Sequence, residues 1–435
     1  MYSTPMFAPL LILFGLLLLC LVSATTAAPF FSYFFAFVPL TLAAGLILIS
    51  RALPPGETRH LADLLPWPLA FIAILPALLM ILQILPWPYG GHPVWASVRA
   101  GFPSGVSGHI SVDIGATAVA LVSYLSVIGM VLFSSALSVN RERAERILFG
   151  LTVVAVLISL ACLADDLWGT EIIALRDEGL DCACLGIPLT AACGLLLFER
   201  YETRHFKRGQ SGRDYHYRAY SVLCLAGFGI CVGAIAVARS GSLAFAAGSG
   251  FLTFVAVAVI RRWALGRLGG IAIGGTAAIM AAALVTISAS DPDPRFAFVK
   301  KDAASVELTR RILNDTPTFG VGAGGFSALL PIYRSRSIPS YEMRAATTAA
   351  KLSIEMGKAT LWFAVLGASY AVYWLLSGAT SRGRDSFYAA AAGACLIALL
   401  NLAFINIGLT GFAIPYLMAA ILGLGLAQSK SRSAA

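Results

Sequence analysis

Charged residues are scarce in this chain. They make up 12% of its 435 residues, whereas soluble domains carry roughly 25%. Hydrophobic residues reach 58%, and the mean hydropathy is +0.82. So little polar surface cannot cover a protein in water, and apolar blocks of about 20 residues match the hydrocarbon thickness of a bilayer. Because the blocks are continuous rather than alternating, they favour membrane-spanning helices over a barrel.

Patterns typical of metal or nucleic-acid binding are also missing. The eight cysteines lie mostly in apolar blocks, and the closest pair, Cys182 and Cys184, has no histidine nearby. Acidic residues outside the apolar blocks are dispersed, so we predict neither a metal site nor a cofactor. The net charge of +9 fits basic cytoplasmic loops. Since no soluble domain is available to present a basic face, we expect no nucleic-acid partner.

The apolar blocks predict an all-α polytopic membrane protein with about twelve transmembrane helices. Helices one to nine fall in residues 1–289, a large loop containing short helices at about 304–314 and 344–356 occupies 290–357, and helices ten to twelve with a tail occupy 358–435. The predicted spans are 7–25, 30–50, 67–86, 113–137, 147–164, 181–198, 219–238, 241–260, 268–289, 358–377, 387–404 and 408–427.

Basic residues set the predicted orientation. With the N-terminus in the cytoplasm, eighteen of the 31 Lys and Arg residues fall in cytoplasmic segments and only Arg99, Arg176 and Arg239 in short outer segments. The positive-inside rule therefore predicts a bacterial inner-membrane protein with both termini cytoplasmic and the large loop periplasmic. No positive charge precedes the first block, so we interpret it as a span rather than a signal peptide.

Polar chemistry is expected at the outer face. Inside the predicted spans the main polar residue is Asn401, and this shortage speaks against an ion-coupled transporter. Arg239 ends the seventh span, directly before the return helix. Its planar guanidinium suits a diphosphate, and the alternative is an arginine that snorkels to the lipid headgroups.

The large loop supplies further candidates. Arg310 and Arg311 stand together on its first predicted helix, where they suit a phosphate or simply form a solvated face. A glycine-rich run follows, in which Gly322 and Gly324 would expose backbone N–H groups to an anion. The alternative for this run is a flexible turn.

Four motifs follow one another between residues 235 and 365. They are Ala-Arg-Ser-Gly-Ser at 238–242, Asn-Asp-Thr-Pro and the glycine run at 314–326, Pro-Ile-Tyr-Arg at 331–334, and Leu-Ser-Ile-Glu-Met-Gly at 352–357. In order and spacing they resemble the O-antigen ligase and polysaccharide polymerase family of bacterial membranes. Elsewhere the resemblance is one of architecture alone.

The resemblance implies an inverting, metal-independent glycosyltransferase on the periplasmic face. It would move a glycan from an undecaprenyl-diphosphate carrier to a glycan or lipid acceptor. Arg239 matches the family's span-end arginine, and Arg311, with Arg310 beside it, is similar to the loop-helix arginine, so these residues are implied to hold the diphosphate. Tyr333 and Arg334 are weaker candidates for substrate contacts.

One departure from the family concerns the catalytic base. Many ligases have a His-Asn pair before the Glu-x-Gly segment, where this chain has Ala346 and Thr347, and none of its five histidines lies in the large loop. Glu342, four residues earlier, is the first candidate for a replacement base. Glu307 and Asp315 are alternatives, and a dispensable base or a lost activity would also explain the change.

Three functions therefore remain open. The first is a polysaccharide polymerase or O-antigen ligase-like enzyme, with other polysaccharide assembly proteins and membrane lipids as further partners. The second is a non-catalytic scaffold of a polysaccharide assembly machine. The third is a transporter of a polysaccharide precursor.

Overall fold

Helices form the regular structure in the described part of the chain. The computed structural model describes residues 6–25, 31–53, 57, 66–87, 91–101, 107–170, 172–173, 176–208, 214–262, 293, 295–296, 303–333, 344–381 and 385–430. In these ranges no strand ladder forms, and an isolated bridge joins Pro86 to His109. The all-α prediction is confirmed for these residues.

Fifteen α-helices can be traced through these ranges and are numbered here in chain order. A 3-10 turn, Gly408–Thr410, precedes the last of them. The helices are α1 Phe7–Thr25, α2 Phe31–Ala52, α3 Trp67–Ile84, α4 Val94–Gly101, α5 Ile114–Ser138, α6 Arg141–Trp168, α7 Arg176–Arg208, α8 Asp214–Val237, α9 Gly241–Arg262, α10 Ala303–Asp315, α11 Phe326–Tyr333, α12 Thr348–Met356, α13 Lys358–Ser381, α14 Ser386–Ala403 and α15 Ala413–Ala427.

Many of these helices have the length and composition of membrane spans. Within the described residues, nine are long and apolar enough to cross a bilayer, namely α1, α3, α5 to α9, α13 and α14. Helix α15 and the described part of α2 are shorter apolar helices. These features are those of a polytopic membrane protein. The predicted span 268–289 lies outside the described residues, so the total of twelve spans stays a prediction.

Helix ends differ from the predicted spans where polar residues continue an apolar helix. Helix α6 begins at Arg141 rather than 147, and α7 begins at Arg176 rather than 181. The backbone of a charged turn is satisfied by helix hydrogen bonds as fully as that of an apolar turn, so hydropathy alone underestimates helix length. The last predicted span, 408–427, starts as a 3-10 turn, and its α-helix begins only at Ala413.

Local chemistry explains several of the helix ends. The Asp113 side chain accepts the Ala116 amide at 2.9 Å and caps α5, and the Asn140 side chain accepts the Glu142 amide at 2.9 Å and caps α6. Helix α6 ends where Gly169 adopts a left-handed φ of 65°.

Helices α7 and α14 form the centre of the bundle. Helix α14 packs against α7, α9, α13 and α15, and each residue from Ser386 to Ile397 on it is buried. Its small residues permit this close packing, since a Cβ on Gly250 of α9 would meet the Ala394 carbonyl. Across the same interface, the Asn401 amide donates to Ser249 Oγ at 2.8 Å.

Contacts between distant segments sort the helix ends into two groups. The group containing α10 to α12, with Gln83, Ser111 and Asn406, is called the loop end below. At the opposite end, Arg141 pairs with Asp385 at 2.9 Å, and Gln428 Nε2 donates to the Ser138 carbonyl at 2.6 Å. The described spans run alternately between these two ends.

Among the described residues of 303–357 there is one helix more than predicted. Helix α10, Ala303–Asp315, matches the prediction for 304–314, whereas α12 begins at Thr348 rather than 344 because the Thr347 side chain caps it. Helix α11, Phe326–Tyr333, was not predicted. It is short and contains Pro331, which hides the helical period.

Candidate functional site

The glycine-rich turn at 320–325 lies at the loop end, packed between α5 and α12. Gly320, Gly322 and Gly324 adopt φ values of 77°, 101° and 75°, a region that favours glycine. The Val321 and Gly322 amides donate to the carbonyls of Ile354 and Glu355, both at 3.0 Å. The turn is therefore held by the backbone of α12.

Gln83, in the last turn of α3, ties this turn to two other segments. Its side chain is fully buried. Its Nε2 donates to the carbonyls of Phe319 and Glu355 at 2.9 and 3.0 Å, and its Oε1 accepts the Ala323 amide at 3.1 Å. This residue was not predicted from the sequence. A lone amide in an otherwise apolar helix was the available signal, because a buried amide needs partners.

Glu355 is the buried acid of the site. Its carboxylate accepts the amides of Gly324 and Phe326 and so lies at the start of α11, where a negative charge is favoured. Burial raises the pKa of this carboxyl above that of an ordinary glutamic acid, and the Lys351 ammonium and the two amides oppose that shift. The Gly322 and Gly324 amides are thus occupied within the protein, and their predicted contact with substrate stays a prediction.

We expect Glu355→Gln to fold and to flatten the dependence of stability on pH. With a raised pKa, the folded chain binds more protons than the unfolded chain above pH 4.5, so stability falls as pH rises to the raised pKa. Glutamine cannot titrate, and its amide oxygen replaces the carboxylate oxygen that accepts the Phe326 amide. The measurement is the thermal unfolding midpoint in detergent from pH 4.5 upward. Glu307→Gln, at an exposed acid of α10, is the control, and an unchanged slope in Glu355→Gln would contradict the argument.

Arg239 occupies the turn between α8 and α9 at the loop end. Its φ is 50°, which is unusual for a residue other than glycine and marks local strain. The side chain is exposed, and within the described residues its guanidinium makes no hydrogen bond or ion pair. Ala238 and Leu243 on either side are buried in one cluster with Ala349 of α12. The turn thus shares a buried cluster with part of α12, while its arginine faces outward.

The arginines of α10 lie in different surroundings. Arg310 is half-buried, with its guanidinium 5.4 Å from the centre of the Phe296 ring. Arg311 is exposed and donates to Glu307 at 2.8 Å, one helical turn earlier. An exposed pair of this kind contributes roughly 0.3–0.5 kcal/mol, so Arg311 is readily redirected to a ligand.

The remaining predicted residues divide between described and undescribed segments. The Tyr333 hydroxyl donates to Asp315 Oδ2 at 2.8 Å and joins the ends of α10 and α11. Arg334 and Glu342 lie outside the described residues, so their roles stay predictions.

Ala346 and Thr347, where the resemblance to O-antigen ligases would place a His-Asn pair, form a helix cap. Thr347 Oγ1 accepts the Ala350 amide at 3.1 Å and donates to the Arg295 carbonyl at 3.0 Å, while the Ala346 amide donates to Thr309 of α10 at 3.1 Å. These residues position α12 against α10, and neither offers a basic side chain.

Arg295 and Asp293 form a tight pair next to this cap. Arg295 donates to the two oxygens of Asp293 at 2.7 and 2.6 Å. Burial alone would raise the pKa of Asp293, but the hydrogen bonds and charge of Arg295, with Arg310 nearby, bring it below its ordinary value. The acid is therefore held as a carboxylate.

Two acids buried in α7 were also missed. Glu178 is 2% exposed and accepts the Ala413 amide at the start of α15 at 2.5 Å. Asp181 is fully buried and accepts the Asn406 side-chain amide at 2.7 Å. The expectation that spans carry almost no charge is wrong here: Asp181 is the first residue of the predicted span, and Glu178 joins it because α7 already begins at Arg176. Their i, i+3 spacing, which places both on one helix face, was the available signal.

Asn406 connects these acids to the glycine-rich turn. Its carbonyl accepts both the amide and the hydroxyl of Thr348, at 2.8 and 3.0 Å, at the start of α12. The last residues of α12 in turn hold the glycine-rich turn. A continuous path of contacts therefore runs from Asp181 to that turn.

Potential metal ligands are not clustered in the described part of the chain. Among the residues described, no group of three or more His, Cys, Asp or Glu side chains is arranged to hold a metal ion. Comparison with known protein families and with curated proteins finds no match for this chain.

Proposed function

We propose that this protein transfers a glycan from an undecaprenyl-diphosphate carrier to a glycan or lipid acceptor, as a polysaccharide polymerase or O-antigen ligase-like enzyme. The observation that carries the proposal is Arg239, an exposed guanidinium in a strained turn whose flanking residues belong to the same buried cluster as Ala349 of α12. Strain at an exposed arginine is typical of a residue kept for a ligand rather than for packing.

The proposed reaction needs positive charge at the leaving group. An acceptor hydroxyl oxygen attacks the anomeric carbon from the face opposite the carrier, and the bond from that carbon to the diphosphate oxygen breaks. Its electron pair leaves on the diphosphate, and the hydroxyl proton passes to a base. Fixed guanidinium groups stabilise the charge that develops on the leaving oxygen. Arg239, Arg310 and Arg311 are the proposed donors, and Glu342 is the proposed base.

The proposed location is the bacterial inner membrane. Twelve spans, cytoplasmic termini and a periplasmic segment at 290–357 are part of this proposal. The distribution of basic residues and the alternation of the described spans between two ends support it. The loop end would then face the periplasm, where glycans on a lipid carrier are assembled.

A transporter of a polysaccharide precursor is the second candidate. The buried acids Glu178 and Asp181 favour it, because buried ionisable groups in spanning helices are typical of ion-coupled transport. A scaffold without catalysis is the third, and the loss of the His-Asn pair at Ala346 and Thr347 supports it.

The test compares glycan length on gels from a deletion strain that carries the wild type or Arg311→Ala at matched membrane levels. We expect the long glycan to fall at least about tenfold with Arg311→Ala, since one charge-assisted contact to the diphosphate is lost. Protein yield should not change, because the pair with Glu307 is exposed. Glu307→Ala removes the same pair while keeping the arginine, so it is the control for helix stability.

The banding pattern separates the candidates. A shortened ladder indicates a polymerase, and unmodified lipid A core with normal carrier-linked polymer indicates a ligase. Full activity of Arg311→Ala would contradict a contact between Arg311 and the diphosphate, and it would favour the scaffold. A variant that no longer transports externally added donor in a vesicle assay, while its glycan transfer stays intact, would favour the transporter.

A further inference from the structure

Two adjoining grooves lie between α7, α8 and α9, away from the loop end. One has a volume of about 790 Å³ and the other about 670 Å³. They share Ala191, Gly194, Phe198 and Phe251 in their linings, so these four residues form the wall common to both grooves. Their walls are almost entirely apolar over most of their length.

The end of the second groove is cationic. Arg261 and Arg262, in the last turn of α9, line it together with a single acid, Glu199. Arg261 is 3.9 Å from Glu199 and also donates to Ser386. Arg262 is exposed, and its guanidinium lies 6.0 Å from the centre of the Phe198 ring. Two positive charges against one negative charge leave this mouth complementary to an anion.

The dimensions of the groove are those of one lipid leaflet. The lining of the second groove on α9 runs from Phe251 to Arg262, which spans roughly 17 Å at about 1.5 Å per residue. The hydrocarbon core of a bilayer is about 30 Å thick, so one leaflet occupies about half of that. An apolar channel of this length with a cationic end at the headgroup level has the shape and polarity of a phospholipid.

We propose that these grooves form a binding site for an anionic phospholipid of the leaflet opposite the loop end. The acyl chains lie in the two grooves, and the phosphate binds at Arg262, with Arg261 beside it. The site is distinct from the proposed glycan-transfer site and does not depend on that function. Its role is to fill the space between α7, α8 and α9.

Gly194 gives a selective way to block the site. It lies in both grooves, and a Cβ built on it would meet no atom within 4 Å. Gly194→Leu therefore directs a side chain into both grooves, and its Cβ displaces no protein atom. Gly15 of α1 also has open space around it and faces outward, so Gly15→Leu is the matched control.

The experiment is native mass spectrometry of the full chain in detergent with equal amounts of dioleoyl phosphatidylglycerol and dioleoyl phosphatidylcholine. We expect the wild type and Gly15→Leu to retain phosphatidylglycerol preferentially, and Gly194→Leu to lose that preference. Arg262→Ala should weaken phosphatidylglycerol retention roughly fivefold, in line with one basic residue at a membrane surface. Arg51→Ala, at an exposed arginine in the last turn of α2, should leave it unchanged.

Three outcomes would overturn the proposal. If the wild type retained the two lipids equally, the arginines would not select an anionic headgroup. Retention by Gly194→Leu at the wild-type level would place the lipid elsewhere. A dimer that dissociates in Gly194→Leu would make a second copy of this chain the occupant. Glycan transfer is not the readout, so none of these results bears on the proposed function.

Discussion

Arg239→Ala is expected to lower the rate of glycan transfer about 100- to 1000-fold while the protein still inserts and folds. Losing one preorganised donor to the charge of a transition state has a cost of this size in other enzymes. The exposed side chain makes no hydrogen bond or ion pair within the described residues, so its removal leaves no buried partner unsatisfied. The measurement is transfer from a carrier-linked glycan in proteoliposomes at matched protein levels.

The backbone of Arg239 allows a sharper version of this experiment. With φ at 50°, glycine relieves strain at this position, whereas alanine keeps it. Arg239→Gly should therefore be at least as stable as the wild type and as inactive as Arg239→Ala. Arg239→Lys keeps the charge without the planar fork and should recover only part of the rate. Arg176→Ala, at a loop-end arginine paired with Asp166, is the control. Wild-type activity in Arg239→Gly would show that the guanidinium is not a substrate contact.

Gly320→Ala is expected to destabilise the loop end by roughly 2–5 kcal/mol, the sum of a left-handed alanine and an overpacked contact. A Cβ at this position would overlap the carbonyl of Glu355, which is backbone and cannot rotate away. The same crossing involves Gly357, where a Cβ would overlap the Thr318 carbonyl. Two backbones thus approach so closely that neither position accommodates a side chain.

The thermal unfolding midpoint and limited proteolysis in detergent measure this effect. Gly320→Ala should lower the midpoint and expose the 303–357 region to cleavage. Gly15→Ala, in open space on α1, should leave both readings unchanged or slightly improved, since alanine favours a helix. If Gly320→Ala unfolded at the midpoint of the wild type, the turn would be able to move away from the Glu355 carbonyl. The close approach of the two backbones would then not be needed for stability.

Local patterns predicted much of the helical structure. Continuous apolar blocks indicated α1, α3, α5 and α13 because membrane helices need no partner to satisfy their backbone. Helix α10 was also predicted, because Pro317 marks its end in the sequence.

The arrangement of the candidate site depended on pairs of residues that are distant in the chain. Gly320 and Gly357 are separated by 37 positions, and Gln83 bonds to residues more than 230 positions away. A periodic pattern within one segment does not predict contacts between residues so far apart in the chain. Arg239 was selected for its charge, whereas its positive φ had no signal, since arginine rarely adopts that conformation.

The central position of α14 has a consequence for how the protein is made. Synthesis at 5–20 residues per second delivers this helix to the ribosome exit only after roughly 20–80 s, when the earlier helices are already in the membrane. Until then α7 and α9 lack the neighbour that buries their facing sides. Ser249 of α9 therefore gains the hydrogen bond from the Asn401 amide only once α14 has been inserted.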